Sequence, residues 1–76
     1  KNNEKVLFAE VKWKKLTLRE ARGILKDLER KSRLVNLKSE NYFCLIAKSI
    51  DGKEELRKDY LVYDLDDFLI YNQSLI

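Results

Sequence analysis

Glu10 and Lys12 flank Val11 inside Val6-Leu7-Phe8-Ala9-Glu10-Val11-Lys12-Trp13, a short β-branched and aromatic run. On an extended strand, side chains two positions apart leave the same face about 7 Å apart along the chain, so this carboxylate and this ammonium can serve one site. A carboxylate oxygen suits a hard cation such as Mg²⁺ or Mn²⁺. A neighbouring ammonium can orient or help deprotonate a metal-associated water and offset charge developing on a phosphate. That is the chemistry of a hydrolase acting on phosphate esters. The spacing alone carries little, because 7 Glu and 11 Lys among 76 residues predict about one chance Glu-x-Lys. Glu29-Arg30-Lys31 is indeed a second copy. Placement separates the two: positions two apart diverge on a helix and converge on a strand, and only Glu10 and Lys12 end a strand whose other positions are apolar. A strand-end salt bridge is the competing account of the same pair.

Other residues offer contacts rather than chemistry. Arg19, Arg22, Lys26, Arg30 and Arg33 are spaced 3, 4, 4 and 3, which on a helix holds them within about 80° of arc. Such a stripe can pair with phosphates, each contact steepening the salt dependence of DNA binding by about one unit. An ordinary solvated helix face is the favoured account of it, since no aromatic side chain interleaves it to stack bases. Lys14 and Lys15, close to Glu10 and Lys12, are better placed to meet a nucleic-acid backbone near the site, or serve solubility alone. Trp13, on the strand face opposite Glu10, is expected to pack on a helix, with base stacking as the alternative. Cys44, between Phe43 and Leu45, reads as a buried inert thiol. Asp64, Asp66 and Asp67 read as helix capping rather than a cation site.

The elements that must position these residues follow from periodicity. The run over 6–13 reads as a strand with Leu7, Ala9, Val11 and Trp13 on one face and Val6, Phe8, Glu10 and Lys12 on the other. Both faces begin apolar, which suits the interior of a sheet covered on both sides. Thr17-Leu18-Arg19-Glu20 is a capping box with Leu16 and Ala21 placed as a staple. The helix it opens, to about Arg33, buries Leu18, Ala21, Ile24, Leu25 and Leu28. Gly23 lies off that face and costs roughly 1 kcal/mol relative to Ala. A loop over 36–41 leads to a second buried strand over 42–49, closed by the turn pair Asp51-Gly52. A short helix over 53–58, a strand over 60–63 and a final short helix follow, the last capped by Asp64 and packing Phe68 and Leu69 inward. The order β-α-β-(α)-β-α implies an α/β fold with a largely parallel sheet and right-handed connections.

Val6-Leu7-Phe8-Ala9-Glu10-Val11-Lys12-Trp13 resembles the third strand of the PD-(D/E)XK nuclease superfamily. Together with Phe43-Cys44-Leu45-Ile46-Ala47-Lys48-Ser49 and Tyr60-Leu61-Val62-Tyr63-Asp64-Leu65-Asp66-Asp67, it resembles the carboxyl-terminal domain of archaeal AAA+ ATPases. The resemblance implies part of a restriction-endonuclease-like core. In it Glu10 would ligate Mg²⁺ or Mn²⁺, the Val11 carbonyl would add a ligand, and Lys12 would act on the attacking water. The superfamily's other metal-binding Asp sits on a preceding strand across a hairpin, so the residues given would carry an incomplete site and be inactive alone. An ATPase motor would lie upstream as well. No Gly-x-x-x-x-Gly-Lys pattern is present, and with only Gly23 and Gly52 none could be, so no ATP binding is expected here.

Composition bounds the rest. A chain of 76 residues is one domain or less, and a marginal one. It is 45% hydrophobic and 38% charged, which excludes both a spanning segment and the composition of disorder. With no His and one Cys, Cys/His zinc sites, His-based triads and an internal disulfide are impossible. That pattern suggests a cytoplasmic chain. The absence of an initiator Met, a signal core or any Pro makes Lys1–Ile76 read as a piece of a longer polypeptide. Abundant Lys and Glu, one Gln and no Met fit thermophile usage. Lys1–Lys38 holds 12 basic and 5 acidic residues, Ser39–Ile76 4 and 8, so the first half suits a polyanion such as DNA. Finally, a strand with two apolar faces and one long helix to cover them predicts self-association of the isolated chain.

Overall fold

The computed structural model describes residues 4–35 and 39–68, in the order β1 (Glu4–Leu16), α1 (Leu18–Val35), β2 (Ser39–Ile50), α2 (Lys53–Leu56) and β3 (Leu61–Tyr63). A further helical turn covers 65–68. The three strands form one parallel sheet in the order β1-β2-β3, with helical segments between successive strands, so the chain is α/β as its periodicity predicts. The first strand runs longer than its apolar stretch suggests, and β2 takes in 39–41 of the expected loop. Residues 36–38 of that loop, and Leu69 of the final helix, lie outside the described residues.

Thr17 and Glu20 open α1 as a reciprocal pair. The Thr17 amide donates to Glu20 Oε1 at 3.0 Å and the Glu20 amide to Thr17 Oγ1 at 3.1 Å. Ala21, Leu25 and Leu28 then bury against Leu45 and Ala47 of β2, while Leu16, Ile50, Leu56 and Val62 close the core around them. Leu18 and Ile24 pack at its margin. Phe8 and Phe43, paired in register, stack with ring centroids 5.7 Å apart on the same side. At the turn after β2, Gly52 has φ 71°, a left-handed conformation that side chains other than glycine's rarely adopt.

One expectation is corrected by this topology. β1 is not an interior strand covered on both sides: it lies at the edge of the described sheet, and α1 covers only one of its faces. The other face aligns Leu7 with Tyr42, Ala9 with Cys44 and Leu61, and Val11 with Ile46 and Tyr63. On it Leu7 is 57%, Val11 61% and Trp13 61% exposed. Trp13, expected to pack on a helix, instead stays largely exposed and borders a groove with Leu65 and Asp66 of the last helical turn. Phe68, expected inward, is also half exposed.

A buried ionic clip ties the end of β2 to the chain after β3. Asp64, 2% exposed, accepts the Ile50 amide at 3.1 Å, the Lys53 ammonium at 2.7 Å and the Asp66 amide at 3.1 Å. Asp67 accepts the Asp64 amide at 2.7 Å and the Arg57 guanidinium at 2.7 Å. These carboxylates are filled by protein donors, in keeping with capping rather than cation binding. Burial pushes the Asp67 carboxyl up, but Arg57, the Asp64 amide and the charge of Lys53 outweigh it and hold the group down at about 2. A carboxyl depressed in the folded state adds stability above its unfolded pKa of 3.8, and that stability is lost as pH falls through about 2. Denaturant titrations between pH 5 and 2 are accordingly expected to show a loss of about 2 kcal/mol attributable to Asp67. Asp67→Asn should flatten that part of the profile; an unchanged slope would contradict the assignment.

Candidate active-site cleft

β1 places Glu10 and Lys12 in register with Leu45 and Ala47, both fully buried, so the two side chains emerge on the face that α1 covers. They stand side by side, Lys12 Nζ lying 3.4 Å from Glu10 Oε2, and each stays partly exposed. Beyond Lys12 the strand does not end as expected. Its register slips, three steps from Lys12 to Lys15 matching two from Ala47 to Ser49 in β2, and β1 continues to Leu16. A bulge of this kind re-aims side chains and is over-represented beside functional sites.

The pair opens into a cleft of about 490 Å³, within the size range of ligand pockets. Glu10, Lys12, Lys14 and Leu16 form its β1 wall, and Glu20, Gly23, Ile24, Asp27, Leu28 and Lys31 its α1 wall. Most of its charges are committed: Glu20 to the capping box, Lys12 to Glu10, and Asp27 to Lys31 at 3.2 Å and to Arg30. Hydrogen bonds from Lys31 and then Arg30 hold the Asp27 carboxyl below the usual carboxylate range. Lys14 makes no ion pair among the described residues.

Of the side chains singled out from the sequence, the structure gathers Glu10, Lys12 and Lys14 in this cleft. Val11 lies between the first two, its side chain on the opposite, exposed face. Arg19, Arg22, Lys26, Arg30 and Arg33 are all exposed but line no part of the cleft. Lys15 lies with Trp13, Lys48 and Asp66 in a second groove, which Lys14 borders as well. Cys44 is buried, and burial pushes its thiol up, which keeps it inert. Glu20, Gly23, Asp27 and Lys31 are the cleft residues that sequence reasoning missed. Their spacing of 3, 4 and 4 puts them along one flank of the helix, between its leucines and its arginines, and was there to be read.

For a hard cation the fit is partial. Glu10 supplies one carboxylate and the Val11 carbonyl is adjacent in the chain. Among the described residues no group of three or more His, Cys, Asp or Glu side chains gathers as a cation site. Mg²⁺ commonly uses one or two carboxylates and completes its shell with water and phosphate oxygens, so Glu10 can hold one edge of such a shell. No helix of the described residues is long and apolar enough to cross a membrane.

Gly23 contributes openness to this wall. A Cβ built there would meet nothing within 4 Å. Gly23→Ala is therefore expected to stabilise the chain by up to about 1 kcal/mol through helix propensity, measured by thermal melting. A destabilised Ala variant would show a steric constraint the structure does not contain.

In sequence, the chain is similar to an uncharacterized protein of Methanocaldococcus jannaschii, 47% identical over 68 residues that make up 88% of this chain and 15% of that protein. No family model matches the chain, and no solved structure matches it. The chain thus spans about 15% of the length of the relative it matches.

Proposed function

We propose that this chain is part of a nuclease-like domain of the PD-(D/E)XK type, carried on a longer archaeal ATPase in the cytoplasm, which contacts DNA and cuts it with Mg²⁺ or Mn²⁺. The observation that carries the reading is the convergence of Glu10 and Lys12, 3.4 Å apart on one face of a strand, at the mouth of a cleft beside a bulge. Similarity to a Methanocaldococcus protein several times longer supports a place within a large polypeptide.

In this reading Glu10 and the Val11 carbonyl would hold the divalent cation with a carboxylate supplied from outside the described residues. The cation, when bound, would supply Lewis-acid polarisation of the phosphate. Lys12 would orient the attacking water and offset negative charge on the phosphate, and Lys14 would hold the DNA backbone at the cleft. The arginine stripe of α1, which lines no part of the cleft and reaches it only through the Arg30 pair with Asp27, would add at most peripheral phosphate contacts.

A second reading has its own observation. The exposed apolar face of Leu7, Val11, Trp13, Tyr42 and Tyr63 favours a noncatalytic interaction or regulatory module of the same ATPase, in which Glu10 and Lys12 merely pair. Metal-dependent nicking of supercoiled DNA by the longer polypeptide separates the two. Nicking supports the first; a clean, metal-replete protein that leaves the DNA intact supports the second. The same face predicts that the 76 residues alone self-associate. The emission of Trp13, the only tryptophan, should then shift to the blue as concentration rises, in step with sedimentation. A monomer with concentration-independent emission would contradict this.

A further inference from the structure

We propose that Gly23 is bare in order to admit a DNA phosphodiester into the cleft between α1 and β1, and that Lys14 is the cation that meets it. The inference rests on the reading of this cleft as a DNA site and adds how the strand enters it.

Gly23 lies in the interior of an 18-residue helix, where glycine is among the least favourable residues. Two usual reasons for such a glycine are missing. Its backbone is not left-handed, since among the described residues only Gly52 has a positive φ. Nothing packs on it either, because an added Cβ would contact nothing within 4 Å. What distinguishes the position is where it faces: Gly23 lines the same cleft as Glu10, Lys12 and Lys14. A longer side chain there would project into the space a ligand must occupy.

The charges indicate which ligand. Lys12 is held by Glu10 at 3.4 Å and Lys31 by Asp27 at 3.2 Å. Lys14 alone among the cleft lysines makes no ion pair among the described residues, and the one lining carboxylate without a cation there, Glu20, is held by the Thr17 amide, so Lys14 is the cation this cleft can offer a ligand. A phosphodiester brings one negative charge on a narrow backbone, and a lysine binds it as a point charge.

The test measures binding of a fluorescently labelled DNA duplex to the natural full-length polypeptide, by anisotropy without added metal and across a salt series. Gly23→Leu is expected to weaken binding about tenfold or more while the helical signal persists. Lys14→Ala should weaken binding and reduce the salt slope by about one. Lys58→Ala, at an exposed lysine outside the cleft, should do neither. Full binding by folded Gly23→Leu, or equal losses from Lys14→Ala and Lys58→Ala, would overturn the proposal, as would failure of the natural polypeptide to bind DNA. Should Gly23→Leu not fold, Lys14→Ala decides, an unchanged salt slope counting against the proposal. Binding that depends on Gly23 without any nicking would keep this inference and remove the cleavage reading. Nicking undiminished in Gly23→Leu would do the opposite.

Discussion

Glu10→Gln is expected to abolish Mg²⁺- or Mn²⁺-dependent nicking of DNA by the longer polypeptide, and Lys12→Ala to slow it by on the order of 10²–10⁴-fold, the usual worth of a positioned proton-transfer group. Glutamine keeps the shape of Glu10 but removes the charge that would draw a divalent cation to the cleft. The diagnostic value lies in the contrast with stability. Both groups are partly exposed, and an ion pair of that kind contributes only about 0–1 kcal/mol. A site therefore predicts a large loss of activity with little change in melting temperature. A merely structural pair predicts a small loss of stability and no activity to lose. Activity should be read on a supercoiled plasmid and stability by circular dichroism on the same preparations. Metal-dependent nicking that survives Glu10→Gln would remove Glu10 from the mechanism.

Asp64→Ala carries the largest expected effect on folding. Its carboxylate is buried and accepts from Ile50, Lys53 and Asp66, so truncation removes the acceptor of two backbone amides and leaves the Lys53 ammonium, itself largely buried, with only the longer 3.4 Å contact to Asp67. Removing one partner of a buried pair costs about 3–5 kcal/mol, and the remaining Asp67 contact puts this case near the lower end. A domain of this size has only about 3–5 kcal/mol in hand, so the variant should be largely unfolded at room temperature by circular dichroism. Asp64→Asn, which keeps an oxygen for the Ile50 amide, should lose less. An Asp64→Ala variant as stable as the parent would mean that the clip is incidental.

Local signals were readable because each rests on neighbours in sequence. Thr17 and Glu20 form both arms of the capping box, Leu16 and Ala21 bury as its staple would require, and the leucine face of α1 packs as its spacing implies. The alternation that put Glu10 and Lys12 on one face survives because a strand fixes it over two residues. What depended on distant partners was not readable. Nothing between Trp13 and Lys15 marks the bulge, which exists only relative to Ala47 and Ser49. The apolar face of β1 implies burial without saying what covers it, and Trp13 on that face stays largely exposed. Asp64 reads as a cap from its sequence, yet its bonds to Ile50 and Lys53 span 14 and 11 residues and emerge only once the sheet is formed. The α1 wall of the cleft needed a further step: its periodicity was visible in Glu20, Gly23, Asp27 and Lys31, but only the packing angle of helix on sheet shows that this flank faces Glu10.

The proposed chemistry requires a divalent cation at Glu10. Crystals of the longer polypeptide grown with Mn²⁺, with diffraction recorded at the manganese edge, test it most directly. An anomalous peak is expected against the Glu10 carboxylate and the Val11 carbonyl, absent from Glu10→Gln crystals. A saturating concentration of Mn²⁺ that leaves no peak there, with Lys12 still paired to Glu10, would contradict it.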